Sequence, residues 1–173
     1  MCGRYSLTSD AERINARFIA RSTPSSQPAR YNIAPTQAVW AMVHTDEPKI
    51  VALRWGLIPS WAKDKAIGNR MINARSEGIS EKPSFRRALR ERRCLVLADG
   101  FYEWKKEGKS KVPHYIRLKS GEPFGFAGLW ETWSAPSGER IQSCTIITTT
   151  PNALMAEIHN RMPVILPLNV EAQ

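Results

Sequence analysis

The chain has 173 residues, 42% of them hydrophobic, which is enough for one compact domain with a real core and short for two. Lys and Arg number 25 against 16 Asp and Glu, a net charge of +9 that suits a polyanionic partner such as nucleic acid or an anionic membrane surface. No apolar leader follows Met1 and no run approaches the ~18 apolar residues of a membrane span, so neither secretion nor membrane spanning is supported, and a cytoplasmic protein with no membrane partner is expected.

Cys2 follows Met1 directly, and a small residue there permits removal of the methionine. The new terminus would carry an α-amine, ordinarily titrating at about 7.7–8.0, beside a thiol at about 8.5. Such a pair can condense with an aldehyde, first as a Schiff base and then as a thiazolidine. Alternatively, the thiolate can attack an acyl carbon with the amine as its base, as in N-terminal-nucleophile hydrolases. A third reading is an inert, disordered terminus. Cys94 and Cys144 are distant and form no CxxC pair, and His44, His114 and His159 show no HExxH-like spacing. Neither a disulfide framework nor a metal centre is expected, and no cofactor is called for.

Ser9-Asp10-Ala11-Glu12 reads as a capping box, and Ala11, Ile14, Phe18 and Ile19 share one helical face, which predicts a short amphipathic helix over residues 10–20. Residues 21–30 are Pro/Ser-rich and read as a surface loop. Strand patterns follow at 38–44, 49–55, 94–98, 101–105, 113–118, 124–130 and 142–148, with a basic helix at 82–93 and a short helix at 152–158. The class is α+β, dominated by antiparallel β structure. Arg86, Arg87, Arg90, Arg92 and Arg93 make either a solvated helix face or a phosphate-binding one. Trp55, Trp104 and Trp130 sit in apolar strand contexts and are expected in the core, whereas Trp61, after a Pro-containing turn, is placed to meet a base.

Eight segments then recur in order: MCGRY at 1–5, RYNIAPT at 30–36, RWGLIP at 54–59, INARSE at 72–77, ADGFYEWK at 98–105, FAGLW at 126–130, IITT at 146–149 and IHNRMPVIL at 158–166. This set closely resembles the SRAP family, the SOS-response-associated peptidases also called abasic-site processing proteins. The resemblance implies a mixed, β-rich barrel-like domain with flanking helices and a positively charged DNA groove, expected here over residues 1–173. It implies a DNA-damage protein that captures abasic sites in single-stranded DNA as a crosslink through Cys2, after the chain removes its own Met1. It also implies a catalytic set of Cys2, Asn73, Glu103 and His159.

In that set His159 would protonate the sugar ring oxygen, since histidine titrates near neutral pH. Glu103 would take a proton from the α-ammonium or hold the amine in line, and Asn73 would donate a hydrogen bond to the opened hydroxyl or position the thiazolidine. For DNA the resemblance points to Arg4, Arg75 and Arg161 at phosphates, to Asn32, Pro35 and Trp61 along the groove, and to Thr148 at the site. Family members usually continue past the HNRMP strand, so this chain is expected to lack their C-terminal segment; a monomer is expected. Two other functions are weighed: a thiol peptidase or amidohydrolase acting on external peptides, and a non-catalytic single-strand-binding module.

Overall fold

A computed structural model of the chain describes residues 2–24, 28–167 and 170. In chain order its strands are β1 (Arg4–Leu7), β2 (Arg30–Ile33), β3 (Ala38–His44), β4 (Pro48–Trp55), β5 (Asn73–Arg75), β6 (Arg93–Ala98), β7 (Gly100–Glu107), β8 (Ser110–Arg117), β9 (Phe124–Ser134), β10 (Arg140–Thr149) and β11 (Met162–Pro163). The helices are α1 (Ala11–Phe18), α2 (Arg86–Glu91) and α3 (Ala153–Ala156), with a 3-10 helix at Lys65–Arg70. No helix among the described residues is long and apolar enough to cross a membrane.

The longest apolar runs close on themselves. β4, β3, β6, β9 and β10 pair in that order and β10 returns to β4, giving a closed five-strand barrel. Each seam is antiparallel except β10–β4, which is parallel through Ser143↔Arg54 and Cys144↔Trp55. Leu53, Trp55, Val96, Leu97, Phe126, Cys144 and Ile146 are fully buried within it. A second sheet, ordered β2-β1-β7-β8, lies against the barrel. Tyr5 pins the two together, its ring meeting Trp55 and Phe126 edge-on at 5.3 and 5.8 Å. Each such pair contributes about 0.5–1.5 kcal/mol beyond area burial.

β10 forks at its end. Where β4 leaves it after Cys144, β5 takes over in parallel through Ile146↔Asn73 and Thr148↔Arg75. On the other edge β9 gives way to β11 at Thr148↔Pro163. Asn73, Arg75, Thr148 and the 158–163 stretch therefore converge on one end of one strand.

Helix α1 differs from expectation at both ends. Its N-cap is Asp10, which accepts from Arg13 N–H, because the Ser9 hydroxyl and backbone N–H both donate to Asp99. Thr8 donates to the same carboxylate, which fastens the end of β1 to the turn between β6 and β7. Ile19 caps the helix in the left-handed region at φ 50° and is 82% exposed, so it leaves the apolar face predicted for it. The basic helix predicted at 82–93 is regular only over Arg86–Glu91, anchored by buried Phe85 and Ala88. Arg87 pairs with Glu91, Arg92 pairs with Glu131, and Arg86, Arg90 and Arg93 stay exposed. Within the predicted 21–30 loop, Arg30 opens β2 and Ser22 bridges Lys49; residues 25–27 lie outside the described set.

Gly56 sets the approach to β5. It sits at φ +126°, and a Cβ there would lie 2.5 Å from the Gly68 carbonyl oxygen of the 3-10 helix. Gly56→Ala should lower stability by about 2–3 kcal/mol through backbone strain and overlap, read as a fall in the denaturant midpoint at unchanged slope.

Candidate active site

Cys2 is completely buried just before β1, and its carbonyl accepts a hydrogen bond from Asn73 Nδ2 at 2.9 Å. The backbone leading to Asn73 is held hard: the Ile72 carbonyl accepts from Trp55 Nε1 at 2.9 Å and from Ile146 N–H at 3.1 Å. Asn73 Oδ1 is buried and has no hydrogen-bond partner among the described residues. It is an acceptor open to an N–H or O–H group entering beside Cys2.

Glu103 comes from β7, which pairs with β1 through Arg4↔Tyr102 and Tyr5↔Phe101. Period-two alternation sends Phe101 and Glu103 inward, and Glu103 is only 3% exposed. Burial pushes the Cys2 thiol well above its ordinary range, and the nearby Glu103 charge pushes it further. A thiolate nucleophile needs the opposite shift. Cys2, Asn73 and Glu103 are thus brought together.

His159 lies in the connection between α3 and β11. Its backbone N–H donates to Met155 O at 2.8 Å, and its Nδ1 accepts from Arg161 N–H at 3.1 Å. The proton of the neutral ring is then carried on Nε2. Arg161 forks onto Glu77 at 2.8 and 2.9 Å and donates to the Thr148 carbonyl at 2.7 Å. Its guanidinium holds the Glu77 carboxyl down at about 2. Thr148 is buried beside Arg75 across the β10–β5 seam, and Arg75 is exposed.

The remaining predicted contacts spread outward. Arg4 is half-buried and donates to Gly3 O. Asn32 is exposed on β2 and Pro35 follows in the next turn. Trp61 is 58% exposed and, with Lys63, Asp64, Ile67 and Arg70, lines a cavity of about 650 Å³. Trp133 Nε1 anchors that turn through Ala62 O at 2.7 Å. Trp104 corrects the core assignment: it is 36% exposed because it alternates with inward Glu103. Trp130 is half-buried with Arg92 over its ring at 5.8 Å, while Trp40 and Trp133 take buried positions.

Two neighbours of the site escaped the sequence reading. Glu77 is three residues beyond the Ala74 of the INAR motif and occupies Arg161; His114 lies directly opposite Glu103 in the β7–β8 register. Only the strand pairing reveals the second. Among the described residues no group of three or more His, Cys, Asp or Glu is placed to hold a metal ion.

The chain belongs to the SRAP family: the model of the SOS response associated peptidase family matches residues 1–173. Abasic site processing protein YoqW of Bacillus subtilis (strain 168) is 50% identical over 170 residues, covering 96% of this chain and 76% of the relative. Abasic site processing protein HMCES of Rattus norvegicus is 38% identical over 147 residues, covering 68% of this chain and 42% of the relative. The crystal structure of a protein from Bacteroides thetaiotaomicron matches with a TM-score of 0.90 at 32% identity, covering 99% of this chain and 79% of that one. The β-rich, barrel-like α+β fold expected from the sequence is the one observed.

All three cysteines are free and buried, and burial pushes each thiol up, Cys144 to about 12. A thiol raised in the fold binds its proton more tightly than in the unfolded chain, so its share of stability is intact below about pH 8.5 and is lost as pH rises towards the folded value. The stability of the protein should therefore fall between about pH 9 and 12, with a shallower alkaline limb in Cys144→Ala, measured by urea unfolding. Native protein at pH 8 should react with a thiol probe far more slowly than unfolded protein.

Proposed function

We propose that the protein processes abasic sites in single-stranded DNA by capturing their aldehyde on Cys2 once Met1 has been removed, either by an aminopeptidase or by the chain itself. The family and the named activity of its relatives support the substrate. The chemical assignment is carried by the Asn73 Nδ2 bond to the Cys2 carbonyl, which fixes the main chain of the residue whose α-amine would react. The protein works as a monomer without a cofactor in this reading.

An abasic site equilibrates between a closed hemiacetal and an open aldehyde, and only the aldehyde accepts an amine. Ring opening moves the proton of the anomeric hydroxyl to the ring oxygen, and His159, with its proton on Nε2, gives that proton to the ring oxygen and takes up the hydroxyl's in exchange, so the imidazole ends neutral. Glu103 takes a proton from the Cys2 α-ammonium, and the freed amine adds to the aldehyde carbon. The carbinolamine loses water to an iminium, and the Cys2 sulfur closes on the same carbon to form the thiazolidine. Asn73 Oδ1 is the open acceptor for the amine N–H or the opened hydroxyl. Arg75 and Arg4 supply guanidinium groups for phosphate oxygens and Arg161 joins them on release from Glu77, Trp61, Asn32 and Pro35 border the strand, and Thr148 lies buried behind Arg161.

The thiol argues for this order of events. A peptidase would attack with sulfur first and would need a depressed thiol pKa, whereas burial and Glu103 keep this one protonated. In aldehyde capture the amine attacks first and the sulfur acts only after an electrophilic iminium has formed beside it.

Met1-free protein incubated with a single strand carrying one abasic site should give a band that survives denaturation, with an intact mass equal to the two components less one water. Cys2→Ala keeps an amine but loses the ring-closing thiol, so it should shift the outcome towards strand cleavage by elimination from the Schiff base. Asn73→Ala should slow adduct formation by about 10- to 100-fold through lost positioning. Folded protein without Met1 that gives no adduct would contradict the reading.

A further inference from the structure

His114 is a titratable group beside the site that the proposed chemistry leaves unused. It stands directly opposite Glu103 in the antiparallel β7–β8 pair. Opposed residues in such a pair have Cβ atoms about 4.5–5.5 Å apart, within reach of a carboxylate and an imidazole. Both residues alternate onto the face that carries Phe101 and Ile116 towards the core. The residue as a whole is only half-buried, yet Nε2 is buried and has no hydrogen-bond partner among the described residues. Leaving such an atom unpaired costs about 1–3 kcal/mol, a penalty a fold rarely carries without a use for it.

We propose that His114 is a positioning residue for Glu103: it receives the proton that Glu103 takes from the Cys2 α-ammonium and so returns Glu103 to its carboxylate. The inference rests on aldehyde capture for the use of the proton, while the placement of His114 opposite Glu103, with Nε2 buried and without a hydrogen-bond partner among the described residues, stands independently of it. Starting from ammonium, thiol and aldehyde, thiazolidine formation releases one water and one proton. Amine addition frees the ammonium proton, loss of hydroxide as water consumes one, and closure by the thiol frees another. One net proton must therefore leave a buried site. The Nε2 lone pair of neutral His114 accepts it from Glu103, leaving an imidazolium opposite a restored carboxylate. Glu103 is then a base twice, for the amine and for the thiol. The other titratable groups on this face are Cys2 at the chain start, Tyr5 of β1, and Lys105 and Glu107 farther along β7.

The test compares Met1-free wild type with His114→Asn and His114→Phe, following adduct formation with an abasic single strand across pH 5.5 to 8.5 at matched melting temperature. Expected is a rate about tenfold lower near pH 7, short of the ~100-fold carried by a direct general base. The α-ammonium sets a decline towards acid in every variant, and the two His114 variants should differ from wild type in the shape of that profile as well as in rate. Equal rates and superimposable profiles overturn the proposal. Ring-¹⁵N signals of His114 recorded at pH 7 should differ between Glu103→Gln and wild type, since the residue opposed to the ring has changed; coincident signals overturn it as well. The spectra read the neighbourhood of Glu103 whether or not DNA is captured, so failure of this inference is distinguishable from failure of aldehyde capture.

Discussion

The hydrogen bond from Asn73 to the Cys2 carbonyl joins the two halves of the molecule at the residue proposed to react. Asn73 belongs to β5, which exists only as a graft onto the end of β10, and Cys2 precedes β1, the middle of the second sheet. Such a bond contributes about 1 kcal/mol net, but stranding a buried carbonyl costs about 1–3 kcal/mol. Its geometry depends on everything behind it: the parallel β10–β4 seam, the Trp55 indole on the Ile72 carbonyl, the close approach of Gly56 to Gly68, and the Tyr5 ring wedged between Trp55 and Phe126. The barrel is in this sense a jig that delivers an asparagine to the chain start.

Electrostatics bears on the chemistry proposed. A carboxylate set beside a fully buried thiol is a poor way to make a thiolate, which favours the reading in which the amine attacks first. On the far side of β5, Arg161 is already spanned by Glu77 and the Thr148 carbonyl, so its guanidinium is held in one plane before any ligand arrives. Arg75 is exposed and Arg4 is half-buried.

Strands with a long apolar pattern were legible to within a few residues, β3 at its observed bounds and β4, β6, β7 and β10 with small extensions. β1, β2, β5 and β11 were not, because two to four residues give too few alternations to stand out, and their pairing is supplied by β10 for β5 and β11, by β7 for β1 and by β1 for β2. The capping residue of α1 moved from Ser9 to Asp10 because Asp99, ninety residues away in sequence, claims Ser9. Trp104 was misjudged because apolar neighbours do not reveal which face of a strand is covered. Cys2 was legible from its position after Met1, whereas Asn73 and Glu103 were named through family motifs, and no local pattern foretells that positions 2, 73 and 103 meet. His114 had no signal at all until the β7–β8 register placed it opposite Glu103.

The central claim is that one residue supplies both nucleophiles. It is tested most directly by digesting the adduct with nuclease and protease and sequencing the N-terminal peptide by mass spectrometry. The account predicts a deoxyribose remnant on Cys2 that blocks both the α-amine and the thiol and that borohydride does not reduce. A remnant on a lysine, or on the Cys2 sulfur with the α-amine still free, would contradict it.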